Sequence, residues 1–95
     1  MDPTDKDDSE PPKEWHVYLL RCADNSLYTG ITNDLQRRVE QHNAGTAARY
    51  TRSRGPVTLV YEETAECRSS ALKREYAIKQ LTRRQKQQLI NNRQD

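Results

Sequence analysis

Phenylalanine is absent from this sequence, and Trp15 is the single tryptophan, so the core must be built from leucine, isoleucine, valine and tyrosine. Hydrophobic residues make up 33% of the 95 residues, and charged residues make up 32%. A chain this short cannot bury the area that a large multi-layer fold requires. The composition therefore predicts one small, compact domain with much of its surface in water.

Cysteine is also scarce. Cys22 and Cys67 lie far apart and form no C-x-x-C spacing, so neither a zinc site nor redox chemistry is indicated. No apolar run reaches membrane-spanning length, and the amino terminus is acidic where a secretory signal would be basic and then apolar. We expect a cytoplasmic protein with reduced, buried, structural cysteines and no membrane partner.

The charges are distributed unevenly along the chain. Residues 1–14 hold six acidic residues and two lysines, with almost no apolar residue, which predicts a disordered acidic tail. The remaining residues, with a folded domain expected over 15–92, carry fourteen lysines and arginines against eight acidic residues. This excess suits a polyanionic partner such as nucleic acid, or it is simply a solvated surface. The tail can also act as an autoinhibitor, in which case deleting residues 1–13 should raise DNA affinity at low salt.

Three stretches rich in β-branched and aromatic residues predict strands over 15–22, 27–32 and 57–64. The first two flank the turn cluster ADNS and form a β-hairpin. A loop of three or five residues would put Tyr18 and Tyr28 on the same face of this hairpin. A two-residue turn would put them on opposite faces, and the sequence leaves both arrangements open.

Capping signals predict three helices. The first runs over residues 35–44, and the second extends to Leu81 and is followed by a short third helix. The residues that mark their ends are Asn33 or Asp34 and Gly45 for the first helix, Ser69 or Ser70 for the second, and the capping box of Thr82 and Gln85 for the third. The expected fold is α+β in the order β-β-α-β-α-α, with helices covering at least one face of three strands.

Charged side chains fall on helix positions that the spacing assigns to the core. The apolar stripe of Leu35 and Val39 extends to Arg38 and His42. Glu75 lies on the apolar face of the second predicted helix. An ionised group in such a place needs a partner. One interpretation is a buried ion pair between Arg38 and Glu75, and the other is a polar site where Glu75 holds a divalent cation and Arg38 neutralises a phosphate.

These residues resemble the GIY-YIG nuclease superfamily, and more narrowly its small single-domain bacterial members. The two halves of the motif correspond to VYL at 17–19 and YTG at 28–30, and Arg38 and Glu75 follow in the expected order. The resemblance covers about residues 15–90. The sequence departs from the motif where His16-Val17 replace Gly-Ile and Thr29 replaces isoleucine.

The resemblance implies a three-stranded antiparallel sheet flanked by helices, with a metal-dependent phosphodiesterase site formed by Tyr18, Tyr28, Arg38, His42 and Glu75. Glu75 would ligate one Mg²⁺ or Mn²⁺, and Arg38 would offset the charge that grows on the phosphoryl group. Tyr28 would act as general base on water, Tyr18 would position water or phosphate, and His42 would share the proton transfer. Gly30 would let the backbone approach the site.

The basic stretch ARYTRSRGP also resembles the corresponding segment of the small bacterial members, although it can equally be a solvated connector. Contacts with nucleic acid, including stacking of Tyr50 on a base, are expected from Arg49, Tyr50, Arg52, Arg54 and Lys79. The leading hypothesis is a divalent-metal-dependent endonuclease that cuts DNA with structure selectivity or weak specificity. The alternatives are a non-catalytic nucleic-acid-binding module of the same fold and a protein-interaction adaptor. No small-molecule cofactor is indicated.

Overall fold

The computed structural model describes residues 14–93, so the predicted acidic tail lies outside the described residues apart from Glu14. The elements in chain order are β1 (Trp15–Arg21), β2 (Leu27–Thr32), α1 (Leu35–Asn43), α2 (Arg49–Arg52), β3 (Thr58–Ala65), α3 (Arg68–Lys79) and α4 (Arg83–Arg93). This confirms the predicted α+β fold and its order of elements. The single turn α2 is an addition, because it lies inside the segment that was interpreted as a basic loop. Within residues 14–93, no helix is long and apolar enough to cross a membrane.

The three strands form an antiparallel sheet in the order β2-β1-β3, so that β1 occupies the centre. Both faces of β1 are covered, which explains its unbroken run of buried residues from Val17 to Leu20. On one face, Val17 and Leu19 pack with Ile78 of α3 and Ile90 of α4. The helices therefore cover more of the sheet than the single face that the sequence required.

The second face of the sheet carries the polar site. Tyr18 and Leu20 point to this side and form a cluster with Leu35 and Val39 of α1. Val39 and Leu35 are only partly buried, because α1 is short and lies at the edge of this cluster. The face is thus built from a mixture of aliphatic residues and one buried phenol.

Five residues, 22–26, separate β1 from β2, and a hydrogen bond between Cys22 and Ser26 narrows the loop of this hairpin to residues 23–25. Tyr18 is paired with Gly30, and the Cys22 N–H donates to the Ser26 carbonyl at 2.9 Å. Asn25 closes the loop with a φ of 69°, a left-handed conformation that asparagine adopts more readily than most residues. This odd loop length gives an even register, so Tyr18 and Tyr28 project from the same face of the sheet.

The ends of α1 follow the predicted capping chemistry. The Asp34 carboxylate accepts a hydrogen bond from the Arg37 N–H at 3.3 Å, so Asp34 rather than Asn33 is the cap. At the other end, Gly45 has a φ of +80° and its N–H donates to the His42 carbonyl at 3.1 Å. A glycine adopts this conformation without steric cost. It stops α1, whose last residue is Asn43, one position after the buried His42.

The two later helices differ in how well their starts were predicted. The prediction that Ser69 or Ser70 caps α3 is wrong, because the helix begins at Arg68 after Cys67, without a side-chain cap. The short link from β3 brings the chain into the helix before the serines are reached. Because Cys67 lies in this link at the surface, the expectation of buried cysteines is wrong for Cys67 and holds for Cys22. The capping box of α4 is confirmed: the Thr82 N–H donates to Gln85 Oε1 at 2.9 Å, and the Gln85 N–H donates to Thr82 Oγ1 at 3.1 Å.

Candidate active site

A chain of three buried polar side chains forms the centre of the candidate site. The Tyr18 hydroxyl lies 2.9 Å from Nε2 of His42, and Nδ1 of His42 lies 2.7 Å from Oγ1 of Thr51. The Thr51 hydroxyl also lies 3.3 Å from the carbonyl oxygen of Ala48, to which it can donate. The exposed fractions are 2% for Tyr18, 1% for His42 and 0% for Thr51. The chain therefore joins β1, α1 and α2 through hydrogen bonds that are largely shielded from solvent.

Tyr28 lies beside this chain at its more open end. Its ring centroid is 6.5 Å from that of Tyr18 and 5.1 Å from that of His42, with the ring planes inclined to one another. Tyr28 is half-buried, whereas Tyr18 is enclosed. The two tyrosines of the hairpin thus face one pocket but differ in their access to solvent.

Gly30 provides the space that the Tyr18 ring occupies. A Cβ atom on residue 30 would lie 2.5 Å from the Tyr18 hydroxyl oxygen and 2.7 Å from its Cζ. Both distances are too short for real side chains. Gly30 was expected to let the backbone approach the site, and its observed effect is to let the phenol of the central strand lie against the backbone of the neighbouring strand.

The charges around Tyr18 and His42 come from two helices. Burial raises the pKa of Tyr18 well above its ordinary value, and the neighbouring Tyr28 adds to this, while Arg38 opposes it and Glu75 reinforces it. Burial also lowers the pKa of His42, and the Arg38 guanidinium lowers it further. Arg38 on α1 and Glu75 on α3 therefore both lie within electrostatic range of the enclosed phenol.

Arg38 and Glu75 do not form an ion pair with each other in the part of the chain that the structure describes. Glu75 instead pairs with Lys79 one turn later, at 3.3 Å between Oε2 and Nζ, and its side chain is 17% exposed. Arg38 lines a polar cavity of about 270 Å³; the other lining residues are Thr32, Asn33, Asp34, Arg37 and Gln41. The interpretation as a buried ion pair between the two helices is therefore wrong: Arg38 borders an open cavity, and the mostly buried Glu75 is paired with Lys79.

The donor set around Glu75 is small. Among residues 14–93, no group of three or more histidine, cysteine, aspartate or glutamate side chains is placed to hold a metal ion. Mg²⁺ does not require such a cage, because it usually keeps several waters and binds one or two carboxylates together with phosphate oxygens. A single, partly accessible carboxylate such as that of Glu75 fits a site of this open kind.

The basic segment around α2 lies next to Tyr28. Arg49 and Arg52 are exposed and make no ion pair with other residues of the range 14–93. Arg54 is engaged: its guanidinium lies 4.0 Å from the centroid of the Tyr50 ring, and its Nε is 3.0 Å from Oδ2 of Asp24. One face of the Tyr50 ring is thus already covered, so stacking of a base there would require Arg54 to move.

Thr51 is the site residue that sequence reasoning missed. It lies between Arg49 and Arg52 in a stretch that was interpreted as a basic loop, and nothing in its residue type indicates burial. The sequence holds one weak signal for its burial. Ala48 and Thr51 are small residues three positions apart, so in a helical turn they lie on the same side, opposite the basic residues. Lys79, which is expected to contact nucleic acid, is exposed and forms an ion pair with Glu75.

Comparison with known proteins identifies this arrangement. The family model of the GIY-YIG catalytic domain matches residues 14–88. A UPF0213 protein of Cronobacter sakazakii is 55% identical over 78 residues, which cover 82% of this chain and 82% of that protein. A UPF0213 protein of Halobacterium salinarum is 55% identical over 75 residues, covering 79% of this chain and 97% of its own.

Solved structures agree with the sequence comparison. The solution NMR structure of a protein from E. faecalis superposes with a TM-score of 0.59 at 44% identity, covering 87% of this chain and 88% of that one. The solution NMR structure of a UPF0213 protein from Bacillus halodurans gives a TM-score of 0.54 at 44% identity, with 82% and 83% coverage. The expected family is confirmed: this chain belongs to the GIY-YIG nuclease superfamily, among its small UPF0213 members.

Proposed function

We propose that this protein is a divalent-metal-dependent endonuclease that hydrolyses phosphodiester bonds in DNA and selects DNA structure rather than sequence. Membership of a nuclease superfamily supports the class of reaction. The observation that carries the proposal is the geometry around Tyr18: its hydroxyl lies 2.9 Å from Nε2 of His42, and its ring centroid lies 6.5 Å from that of Tyr28. Arg38 and Glu75 are the charged groups that act on this phenol. Phenols, an imidazole, a guanidinium and a carboxylate close together can supply the proton transfer, the charge stabilisation and the metal ligand that phosphodiester hydrolysis uses.

Glu75 is the residue that holds the metal in this proposal. Its carboxylate is partly accessible, and among residues 14–93 its ion-pair partner is Lys79, whose ammonium end lies at the surface. A bound Mg²⁺ or Mn²⁺ would supply Lewis-acid polarisation of the phosphate and stabilisation of the leaving oxygen. The ammonium of Lys79 can turn away into solvent, since its side chain is 53% exposed.

Arg38 is the residue that receives the phosphate. It is half-buried, it borders the polar cavity beside α1, and its neighbour Arg37 lines the same cavity. A guanidinium with no carboxylate partner among residues 14–93 keeps its donors for an incoming anion. The charge that it contributes is already positioned when negative charge grows on the phosphoryl oxygens, which is the largest single source of catalysis in many enzymes.

The proton of the attacking water is best accepted by Tyr18 together with His42. The raised pKa of Tyr18 keeps its phenol neutral, so a proton taken from water must be passed on, and Nε2 of His42 lies 2.9 Å away. The lowered pKa of His42 keeps the imidazole neutral and able to accept. Tyr28, which was expected to be the general base, has no hydrogen-bond acceptor among residues 14–93, so we assign it to positioning water or phosphate.

The DNA backbone is held by the exposed arginines of α2. Arg49 and Arg52 are the cations of this segment that other described residues do not neutralise, and they lie close to the site because Thr51 between them is bonded to His42. Contacts of this kind read charge and position rather than base sequence. A four-residue helix offers little surface for base readout, which favours structure selectivity.

The proposal is tested with the purified full-length protein and single-stranded, duplex and branched DNA, with Mg²⁺, with Mn²⁺ and with a chelator. We expect metal-dependent cleavage that Glu75→Gln reduces by roughly a thousandfold or more while DNA binding is kept. Glu66→Gln is the matched control, since Glu66 is exposed beside the start of α3. Binding without cleavage of all three DNAs would show a non-catalytic module and overturn the endonuclease proposal.

A further inference from the structure

We propose that Thr51 is a positioning residue that holds His42 in the tautomer with its proton on Nδ1, so that Nε2 is a bare acceptor for the Tyr18 hydroxyl. The inference rests on the proposed nuclease function for its catalytic meaning, although its structural part can be tested without activity. It begins from the continuous chain of bonds from Tyr18 through His42 to Thr51.

The first argument is the position of the Thr51 hydroxyl proton. A hydroxyl has one proton to donate, and the carbonyl oxygen of Ala48, 3.3 Å from Oγ1, can only accept. When the proton is directed to Ala48, Oγ1 must accept from Nδ1 of His42 across the short distance of 2.7 Å. The ring proton of a neutral imidazole is then on Nδ1, and none remains for Nε2.

The second argument comes from the opposite end of the chain. Within the described range 14–93, Nε2 of His42 is the one hydrogen-bond partner of the Tyr18 hydroxyl. If Nε2 carried the proton, this enclosed phenol would be left without a protein acceptor for its own proton, which is unfavourable for a buried donor. The needs of Tyr18 and of Thr51 are both met only by the Nδ1-protonated tautomer.

The tautomer determines what the Tyr18 oxygen offers to the site. Because its proton points to His42, the oxygen keeps lone pairs that can accept a proton, and in this proposal the attacking water approaches from the side of Tyr28, whose ring centroid is 6.5 Å away. When that water loses a proton to the Tyr18 oxygen, the phenolic proton moves to Nε2. The products of this step are hydroxide for attack at phosphorus, an unchanged phenol and an imidazolium whose Nδ1–H is still held by Thr51. The opposite tautomer has no acceptor for the phenolic proton.

The helical turn α2 places the Thr51 hydroxyl against the imidazole of His42. Its neighbours Arg49 and Arg52 are exposed on α2, and Thr51 is the buried residue of that turn. The same turn therefore presents cations to the solvent and a hydroxyl to the imidazole. The position of α2, which we propose contacts the DNA backbone, is therefore coupled to the protonation states of Tyr18 and His42.

The structural part is tested by ¹⁵N NMR of the two imidazoles in uniformly labelled full-length protein at about pH 8, above the ordinary histidine range. Bare and protonated ring nitrogens have widely different ¹⁵N shifts, and the chain has only His16 and His42, so His16→Gln assigns the signals. We expect a protonated Nδ1 for His42 in the wild type and in Thr51→Ser. We expect Thr51→Val, which removes the hydroxyl but keeps the shape, to change the tautomer.

The catalytic part is tested by steady-state kinetics on the best cleaved DNA. Thr51→Val should lower kcat by roughly 10- to 100-fold, a fraction of what general base catalysis contributes, with KM nearly unchanged. Thr51→Ser should restore most of the rate. Thr29→Val is the matched control, since Thr29 is also buried but pairs with Leu19, on the face of the sheet away from His42.

The outcomes separate this inference from the proposed function. A wild-type His42 with its proton on Nε2, or a tautomer unchanged in Thr51→Val, overturns the inference whether or not DNA is cleaved, and the wild-type spectrum alone decides this if Thr51→Val fails to fold. A changed tautomer with an unchanged kcat overturns its catalytic part. The expected spectra in a protein that cleaves no DNA support the tautomer and overturn the nuclease function only.

Discussion

Tyr18 lies directly across the sheet from Gly30, and its ring fills the space that any side chain at position 30 would need. The two halves of the family motif therefore meet in one contact, since the phenol comes from β1 and the glycine from β2. This contact holds the hydroxyl of Tyr18 in the direction of His42. A glycine on the neighbouring strand thus contributes to the position of a group in the centre of the site.

Gly30→Ala should destabilise the protein by about 1–3 kcal/mol, the usual cost of forcing an atom into a packed site. The added methyl must displace the Tyr18 ring, so the change should also reduce cleavage. Gly55→Ala is the control, because a Cβ there would meet nothing within 4 Å. Urea unfolding of both variants measures the effect, and equal midpoints for the two would contradict the steric argument.

Tyr18→Phe should lower kcat by roughly 10²- to 10⁴-fold, because it removes the atom that receives the proton of water. Tyr28→Phe should have a smaller effect on kcat and a larger one on KM, since we assign that hydroxyl to positioning. Cleavage kinetics over a range of DNA concentrations separate the two parameters. The reverse ranking of the two variants would transfer the role of base to Tyr28.

The stability of the protein should fall in mild acid because of His42. Burial, with a contribution from Arg38, lowers the pKa of His42 in the folded state, so the unfolded chain binds a proton more readily. The free energy of unfolding therefore rises with pH between the lowered pKa of folded His42 and the ordinary histidine pKa of about 6.5. The contribution of His42 to stability is fully present above about pH 6.5 and is lost as the pH falls through its folded pKa. Urea unfolding against pH should show a shallower acid loss for His42→Gln, and an equal loss would contradict the prediction.

Arg49→Ala and Arg52→Ala should each weaken DNA binding for all sequences alike. Neither side chain is paired within residues 14–93, and each removed phosphate contact should reduce the slope of log K against log salt by about 0.9. Arg54→Ala should act mainly on stability instead, since Arg54 bonds Asp24 and covers Tyr50. Binding titrations at several salt concentrations test this, and equal slopes in all three variants would refute it.

Local sequence patterns were sufficient to predict most of the strands and helix ends. The strands, a helix cap at Asn33 or Asp34, the helix end at Gly45 and the capping box of α4 were predicted because each depends on residues close together in the chain. The start of α3 was predicted wrongly, since both candidate serines are capable caps and only the path of the chain from β3 decides between them and Cys67. Propensity is a weak guide where the tertiary path sets the end of an element.

The sequence by itself determined the order of elements, the family and the residue types of the candidate site, including Arg38 and Glu75 on otherwise apolar helix faces. Only the tertiary structure decided that the two tyrosines share a face, because one residue more or less in the hairpin loop reverses every side chain beyond it. Only the tertiary structure shows that Glu75 pairs with Lys79 and not with Arg38, and that Thr51 is hydrogen-bonded to His42. These contacts bring together residues of different elements, and no local spacing along the chain encodes such distances.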